Sequence, residues 1–107
     1  MPKYLLEASY SAEGLHGVIH DTASGRQAAV QKAVKAAGGK LEVFYFSFGD
    51  NDVVAIADLP DNIAAAALSL AVGSSGLVHA RTTPLLTVEE VDKAIKSKAK
   101  YKAPGAK

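Results

Sequence analysis

Two apolar runs joined by a short polar segment dominate the middle of the chain. The first run, residues 41–48, is rich in aromatic and branched side chains, and the second covers residues 53–57. Residues 49–52, of sequence GDND, lie between them. Glycine, asparagine and aspartate tolerate positive φ angles and hydrogen-bond to their own backbone in turns. The pattern therefore predicts a central β-hairpin.

The segment before the hairpin predicts one strand and an interrupted helix. Residues 3–10 alternate as a strand does. Ser11 is placed to cap a helix that breaks over residues 21–25. A capping box of Ser24 and Gln27 then begins a second helical segment, which ends before the glycine pair at 38–39.

Three further elements are predicted after the hairpin. An alanine-rich helix covers residues 62–72, and its expected inward stripe is Ile63, Ala66, Ala67, Leu70 and Ala71. Residues 77–86 are predicted to form a strand in which Pro84 favours either an edge position or the end of the strand. Thr87 and Glu90 form a capping box that begins a C-terminal helix.

The resulting order, β-α-β-β-α-β-α, predicts an α+β fold of the ferredoxin-like type. In this arrangement a four-stranded antiparallel sheet has two long helices on one face. The expected strand order is 4-1-3-2, which makes the first and last strands neighbours. We expect one domain over residues 1–98 and a basic, disordered tail over residues 99–107.

Both faces of the predicted hairpin are apolar, and the two helices can cover only one of them. One face carries Phe44, Phe46 and Phe48, and the other carries Leu41, Val43 and Tyr45. We expect the phenylalanines to face the helices. The other face should then be buried against a second copy of the chain. This predicts a homodimer or a larger homo-oligomer, of the dimeric α/β-barrel kind.

Composition narrows the classes of function. The chain has no cysteine, which excludes disulfides, thiol nucleophiles and Cys-based zinc sites. No apolar run is long enough for a membrane span, and no secretory signal pattern begins the chain, so a cytoplasmic protein is expected. Six lysines and no acidic residue lie in residues 93–107. Residues 1–92 hold six basic and eleven acidic residues, a net charge of −5. Nucleic acid is not expected as a partner, because residues 1–92 have no basic face.

The central segment resembles the GYD-domain family of small bacterial proteins. The resemblance rests on FGDND followed by VVAIADLPD, on ALSLAVGSSG and on TTPLLT, and it extends from residue 3 to about residue 92. It implies a ferredoxin-like fold of the dimeric α/β-barrel superfamily, which also contains cofactor-free monooxygenases and haem enzymes. The family is named for a Gly-x-Tyr-Asp motif, and here Asn51 replaces the tyrosine. The resemblance supplies a fold and no reaction.

Few residues are candidates for chemistry. His16 and His20 are four residues apart on a helix, a spacing that suits two ligands of one metal ion. No sequence feature indicates a third ligand, so a metal site is not expected. Asp52 is the motif aspartate of the turn. The predicted topology brings Glu7 beside His79 and Arg81, either as a structural ion pair or as a polar patch in a pocket. The ligand-binding candidates are Tyr4, Glu7, Arg26, Asp52, His79 and Arg81.

Two classes of function remain open. The first is an oligomeric module that binds a small apolar or aromatic molecule or has a structural role, with a second copy of itself as partner. The alternative is a cofactor-free dimeric-barrel enzyme, resembling a monooxygenase or an isomerase, that acts on a small organic substrate. Serine elbows, phosphate loops and dinucleotide motifs are absent from the sequence. We therefore favour the binding module, with no cofactor, no assigned catalytic residue and no identified substrate.

Overall fold

The computed structural model describes residues 1–106 and confirms the predicted order of elements. The strands are β1 (Lys3–Tyr10), β2 (Lys40–Phe46), β3 (Val53–Asp58) and β4 (Val78–Leu85). The helices are α1 (Ala12–Ala36), α2 (Asn62–Gly73) and α3 (Val88–Ser97). Within the described part of the chain, no helix has both the length and the apolar content needed to cross a membrane.

Strand β1 lies inside the sheet and pairs with two strands along its length. The strand order is β2-β3-β1-β4, and every pairing is antiparallel, as predicted. Leu6, for example, lies between Ala55 of β3 and Thr82 of β4. Strand β4 is therefore an edge strand, which is where Pro84 can be tolerated, because proline has no N–H to give to a ladder.

Helices α1 and α2 cover one face of the sheet, and the buried core lies beneath them. Its members are Tyr4, Val34, Ala57, Leu59 and Ala65. Directly opposed residues of neighbouring strands share a face, so the register also defines the other side, which we call the open face. Its residues are Lys3, Leu5, Glu7 and Ser9 of β1, Lys40, Val43 and Tyr45 of β2, Val54, Ile56 and Asp58 of β3, and His79, Arg81, Thr83 and Leu85 of β4.

A bulge in β2 corrects one part of the predicted hairpin. Leu41 pairs with Ala57 and Val43 pairs with Ile56, which leaves Glu42 as the extra residue. Because an extra residue reverses the alternation of side chains, Leu41 packs against the helix-covered core. The prediction that Leu41 shares a face with Val43 is therefore wrong, and Val43 alone of the two lies on the open face.

The end of β2 also differs from the prediction. The strand stops at Phe46, and Phe48 lies in the following loop with a φ of 53°. This left-handed backbone conformation ends the strand alternation. Phe48 is 63% exposed and stacks on the Phe46 ring, with 5.7 Å between the ring centroids. Phe48 was expected to lie on the helix-covered face, and this expectation is wrong.

The predicted interruption of α1 is confined to one residue. Thr22 has a φ of 70° and a ψ of 163°, between two helical segments. Its hydroxyl oxygen accepts a hydrogen bond from the backbone N–H of Gly25, at 3.2 Å. Thr22 thus caps the second segment, and the predicted capping box at Ser24 is wrong by two residues. The first segment begins as predicted, because Ser11 accepts from the N–H of Gly14.

Two glycines allow α1 to turn sharply into β2. Gly38 has a φ of 88°, a conformation that favours glycine. At Gly39, a Cβ atom would collide with the carbonyl oxygen of Asp58. The close approach of this turn to β3 therefore requires the absence of a side chain.

The inward stripe of α2 is not the predicted one. The helix turns Ala65, Leu68, Ser69 and Val72 toward the sheet, whereas Ile63 and Leu70 are 80% and 73% exposed. An alanine-rich helix has no charged face, so its apolar pattern does not fix its rotation. Ser69 was not part of the predicted stripe. In the structure its hydroxyl is hydrogen-bonded to Thr82 of β4.

Helix α3 projects from the end of β4 and contributes no buried side chain. Its apolar residues Val88, Val91 and Ile95 share one side of the helix and are exposed. The predicted capping box is confirmed. The Thr87 hydroxyl accepts from the N–H of Glu90, and the Glu90 carboxylate accepts from the N–H of Thr87.

We expect Thr87→Ala to loosen α3 without destabilising the sheet. An N-cap threonine contributes about 1 kcal/mol to its helix, and α3 buries nothing against the core. Amide exchange in residues 88–97 should therefore accelerate, whereas the protection of Tyr4 and Val34 should not change. Glu90→Gln is the matched control, because glutamine retains the reciprocal bond. Loss of core protection in Thr87→Ala would show that α3 supports the fold.

The same box predicts an acid sensitivity that is local to α3. The backbone hydrogen bond from Thr87 lowers the pKa of Glu90 below its ordinary value of 4.5. A carboxylate with a lowered folded pKa stabilises above the unfolded value and loses that effect as the pH falls through the folded one. The protection of the α3 amides, measured as the exchange rate relative to that of an unstructured chain at the same pH, should fall over this acidic range in the unmodified protein. The effect should be absent in Glu90→Gln.

Candidate functional site

A polar cluster occupies the open face at the end of the sheet nearest the hairpin loop. The Glu7 carboxylate accepts a hydrogen bond from the Asn51 amide, at 3.0 Å. Its second oxygen lies 3.9 Å from the Arg81 guanidinium. The Arg81 side chain is 70% exposed, so this ion pair is weak and most of the guanidinium donors face outward.

His79 lies on the same face, two residues from Arg81 along β4, and is exposed. It is directly opposite Ser9 of β1, as Arg81 is opposite Glu7. The sheet therefore brings together three of the predicted candidates, Glu7, His79 and Arg81. Asn51 completes the cluster, although it was not among the predicted ligand-binding candidates.

Asp52 is occupied by backbone hydrogen bonds beside this cluster. Its carboxylate accepts from the N–H of Tyr10, and its own N–H donates to the carbonyl of Ala8, both at 2.8 Å. The residue thereby fastens the hairpin loop to the end of β1. Asp50 lies exposed at the tip of the loop.

Two further candidates lie away from the cluster. Tyr4 is 2% exposed in the helix-covered core, where its hydroxyl donates to the Asn62 side chain at 2.6 Å. Arg26 lies in α1 and pairs with Asp21 at 3.4 Å. A hydrogen bond from His20, aided by Arg26, lowers the pKa of Asp21.

The histidine pair lies on the exposed side of the first segment of α1. His20 contacts Asp21 at 3.2 Å, and its side chain is 89% exposed. Within residues 1–106, no three histidine or carboxylate side chains are grouped closely enough to hold a metal ion.

A second charged group lies on the open face, at its opposite end. The Lys3 ammonium contacts Glu42 at 2.8 Å and Asp58 at 2.9 Å. These hydrogen bonds, first that with Glu42, raise the pKa of Lys3 above its ordinary value. Between the two charged groups, the open face carries Leu5, Val43 and Ile56 in one row across three strands.

The other side of the sheet contains a small cavity beneath α1 and α2. Its volume is about 90 Å³, and its walls include Leu6, Val30, Ala33, Phe44, Leu68 and Ala80. Glu7 also borders it, but the Glu7 carboxylate is engaged by Asn51 on the open face. Neither His79 nor Arg81 lies in its wall.

One polar pair marks the wall of this cavity. The hydroxyls of Ser69 and Thr82 are hydrogen-bonded to each other at 2.7 Å. Sequence reasoning missed both residues. The only available signal was the alternation of β4, which places Thr82 on the same face as Ala80.

Comparison with protein families gives one match. The family model described as the GYD domain matches residues 4–95 of the 107-residue chain. No curated protein and no solved structure matches the chain significantly.

We expect Asp52→Ala to destabilise the protein by about 1 to 2 kcal/mol, because it leaves the Tyr10 N–H without its charged acceptor. The equilibrium unfolding free energy, from urea titration, measures the effect. Asp50→Ala is the matched control, since it removes an exposed carboxylate from the same loop and should cost less than about 0.5 kcal/mol. Equal effects of the two substitutions would contradict the role assigned to Asp52.

Proposed function

Since the chain belongs to the GYD-domain family, we propose that it acts as a homo-oligomeric module that binds a small molecule. Family membership supplies the fold and no reaction, so the proposal rests on the two sides of the sheet. The open face is the surface that meets a second copy. The cavity beneath the helices is the place for the ligand.

The composition of the open face carries the proposal. Leu5, Val43 and Ile56 form an apolar row, and Tyr45 and Val54 extend it toward the Glu7 cluster. Tyr45 is 67% exposed in the single chain. Covering apolar surface contributes about 2.5 kcal/mol for each 100 Å² removed from water. A face of this kind therefore favours association.

The charges on the open face fit a second copy as the occupant. Lys3 lies between Glu42 and Asp58 at one end, and Arg81 lies near Glu7 at the other. Both groups contain opposite charges, so a copy laid on this face meets an apolar centre with a polar rim. Stable protein interfaces have this anatomy. A face that packs on itself also closes into a two-fold dimer.

The cavity supports binding rather than catalysis as the role of the helix-covered side. Its wall is mostly apolar, and the polar residues that border it are Glu7, Tyr10, Ser69 and Thr82. The polar ends of Glu7 and Arg81 lie across the sheet. Cofactor-free chemistry needs an acid or a base within hydrogen-bonding reach of its substrate. The enzyme alternative would instead have to use the open face.

We expect Val43→Asp to split the proposed oligomer, because it places an unpaired charge in the apolar row at a cost of several kcal/mol. Sedimentation of the unmodified protein and of Val43→Asp at micromolar concentration measures the change in oligomeric state. Ile19→Asp is the control, since Ile19 is 77% exposed on α1 and does not lie on the open face. A monomeric unmodified protein at this concentration would refute the homo-oligomer, and an intact Val43→Asp oligomer would refute the open face as its interface.

A further inference from the structure

The cavity exists because small side chains face one another where the helices cross the sheet. Ala8 and Ala55 lie on its floor, Ala33 comes from α1, and Ala80 comes from β4. Helix α2 adds Ser69 rather than a large apolar residue. The well-filled core around Tyr4 and Val34 lies closer to the other end of the sheet, near the turn of α1 into β2. The open space is thus confined to one part of the helix–sheet interface.

The volume and chemistry of this space restrict what it holds. Interiors are packed densely, and an empty void deprives its lining of contacts. An engineered apolar cavity of about 150 Å³ stays dry and binds benzene. By the same ratio of volume to atoms, a cavity of about 90 Å³ holds about four heavy atoms. Its apolar wall favours a hydrocarbon chain over water.

The hydroxyl pair gives the cavity one polar contact point. Each hydroxyl offers one hydrogen and two lone pairs, and the bond between Ser69 and Thr82 uses only one of the two hydrogens. A hydrogen and several lone pairs are left for a third hydroxyl. The two residues also line a surface groove between α2 and β4, beside Asn62 and Pro84. The pair therefore stands where this groove meets the cavity.

From this geometry we propose that the cavity binds a short-chain alcohol. The hydrocarbon part lies against Leu6, Val30 and Leu68, and the hydroxyl exchanges hydrogen bonds with Ser69 and Thr82. The groove between α2 and β4 is the route of entry. This inference rests on the proposed small-molecule-binding function and names its ligand class.

The test compares 1-butanol with 1-chlorobutane, which has the same shape and number of heavy atoms but cannot donate a hydrogen bond. Each is titrated into the full-length protein, and the methyl resonances of Leu6, Val30 and Leu68 are followed by NMR. We expect saturable shifts of these methyl groups with butanol. In the double variant Ser69→Ala/Thr82→Val, butanol should bind about tenfold more weakly, the effect of losing one good hydrogen bond. Chlorobutane should bind the variant at least as tightly as it binds the unmodified protein.

The matched control is Ser24→Ala/Ser97→Ala, which removes two hydroxyl groups outside both the cavity and the open face. Ser24 is exposed on α1, and Ser97 is exposed on α3. This variant should bind both molecules as the unmodified protein does. If neither butanol nor chlorobutane produced saturable shifts in the unmodified protein, the cavity site would be overturned. Recognition through the hydroxyl pair would be overturned if Ser69→Ala/Thr82→Val weakened butanol and chlorobutane binding equally, or if it did not weaken butanol binding.

The outcome is separable from that of the oligomer. Butanol binding by a protein that sediments as a monomer would support the cavity and refute only the assembly. An oligomer that binds neither molecule would support the assembly and refute the ligand.

Discussion

Pairing of β1 with β3 on one side and β4 on the other is the constraint on which the remaining structure depends. It places Leu6 and Thr82 under the helices and Glu7 and Arg81 on the opposite side. A shift of one residue would exchange these two sets. Asp52 resists such a shift, because it bonds to the backbone of both Ala8 and Tyr10 at the end of β1. Asp52 therefore acts on the register of the sheet.

The same strand pairing places the two proposed roles on opposite faces of the sheet. The cavity side is built from small apolar residues and one hydroxyl pair, whereas the open face has charged ends and an apolar middle. Glu7 borders the cavity, and its carboxylate is bonded to Asn51 on the open face. The Asn51 amide thus joins the hairpin loop to the central strand.

Features determined by local chemistry could be predicted from the sequence. Turn residues predicted the hairpin, Ser11 and Thr87 predicted helix starts, and Pro84 predicted an edge or a strand end, both of which apply to β4. Features that depend on tertiary geometry could not. The bulge at Glu42 breaks the alternation on which the placement of Leu41 relied. Helix α2 lacks a charged face, so its rotation is set by packing on β4, and the cavity wall could not be foreseen for the same reason.

The isolation of α3 bears on how a signal would travel through this molecule. Helix α3 shares no buried side chain with the core, and a short connection at Leu86 and Thr87 joins it to β4. Energetic coupling between distant sites is usually carried by packed side chains or rigid elements with two arrangements. Within residues 1–106, α3 offers the cavity little such contact. Binding at Val91 or Ile95 would therefore affect the sheet chiefly when the bound molecule contacts both α3 and the sheet. The state of α3 thus depends on what lies around the protein more than on the cavity.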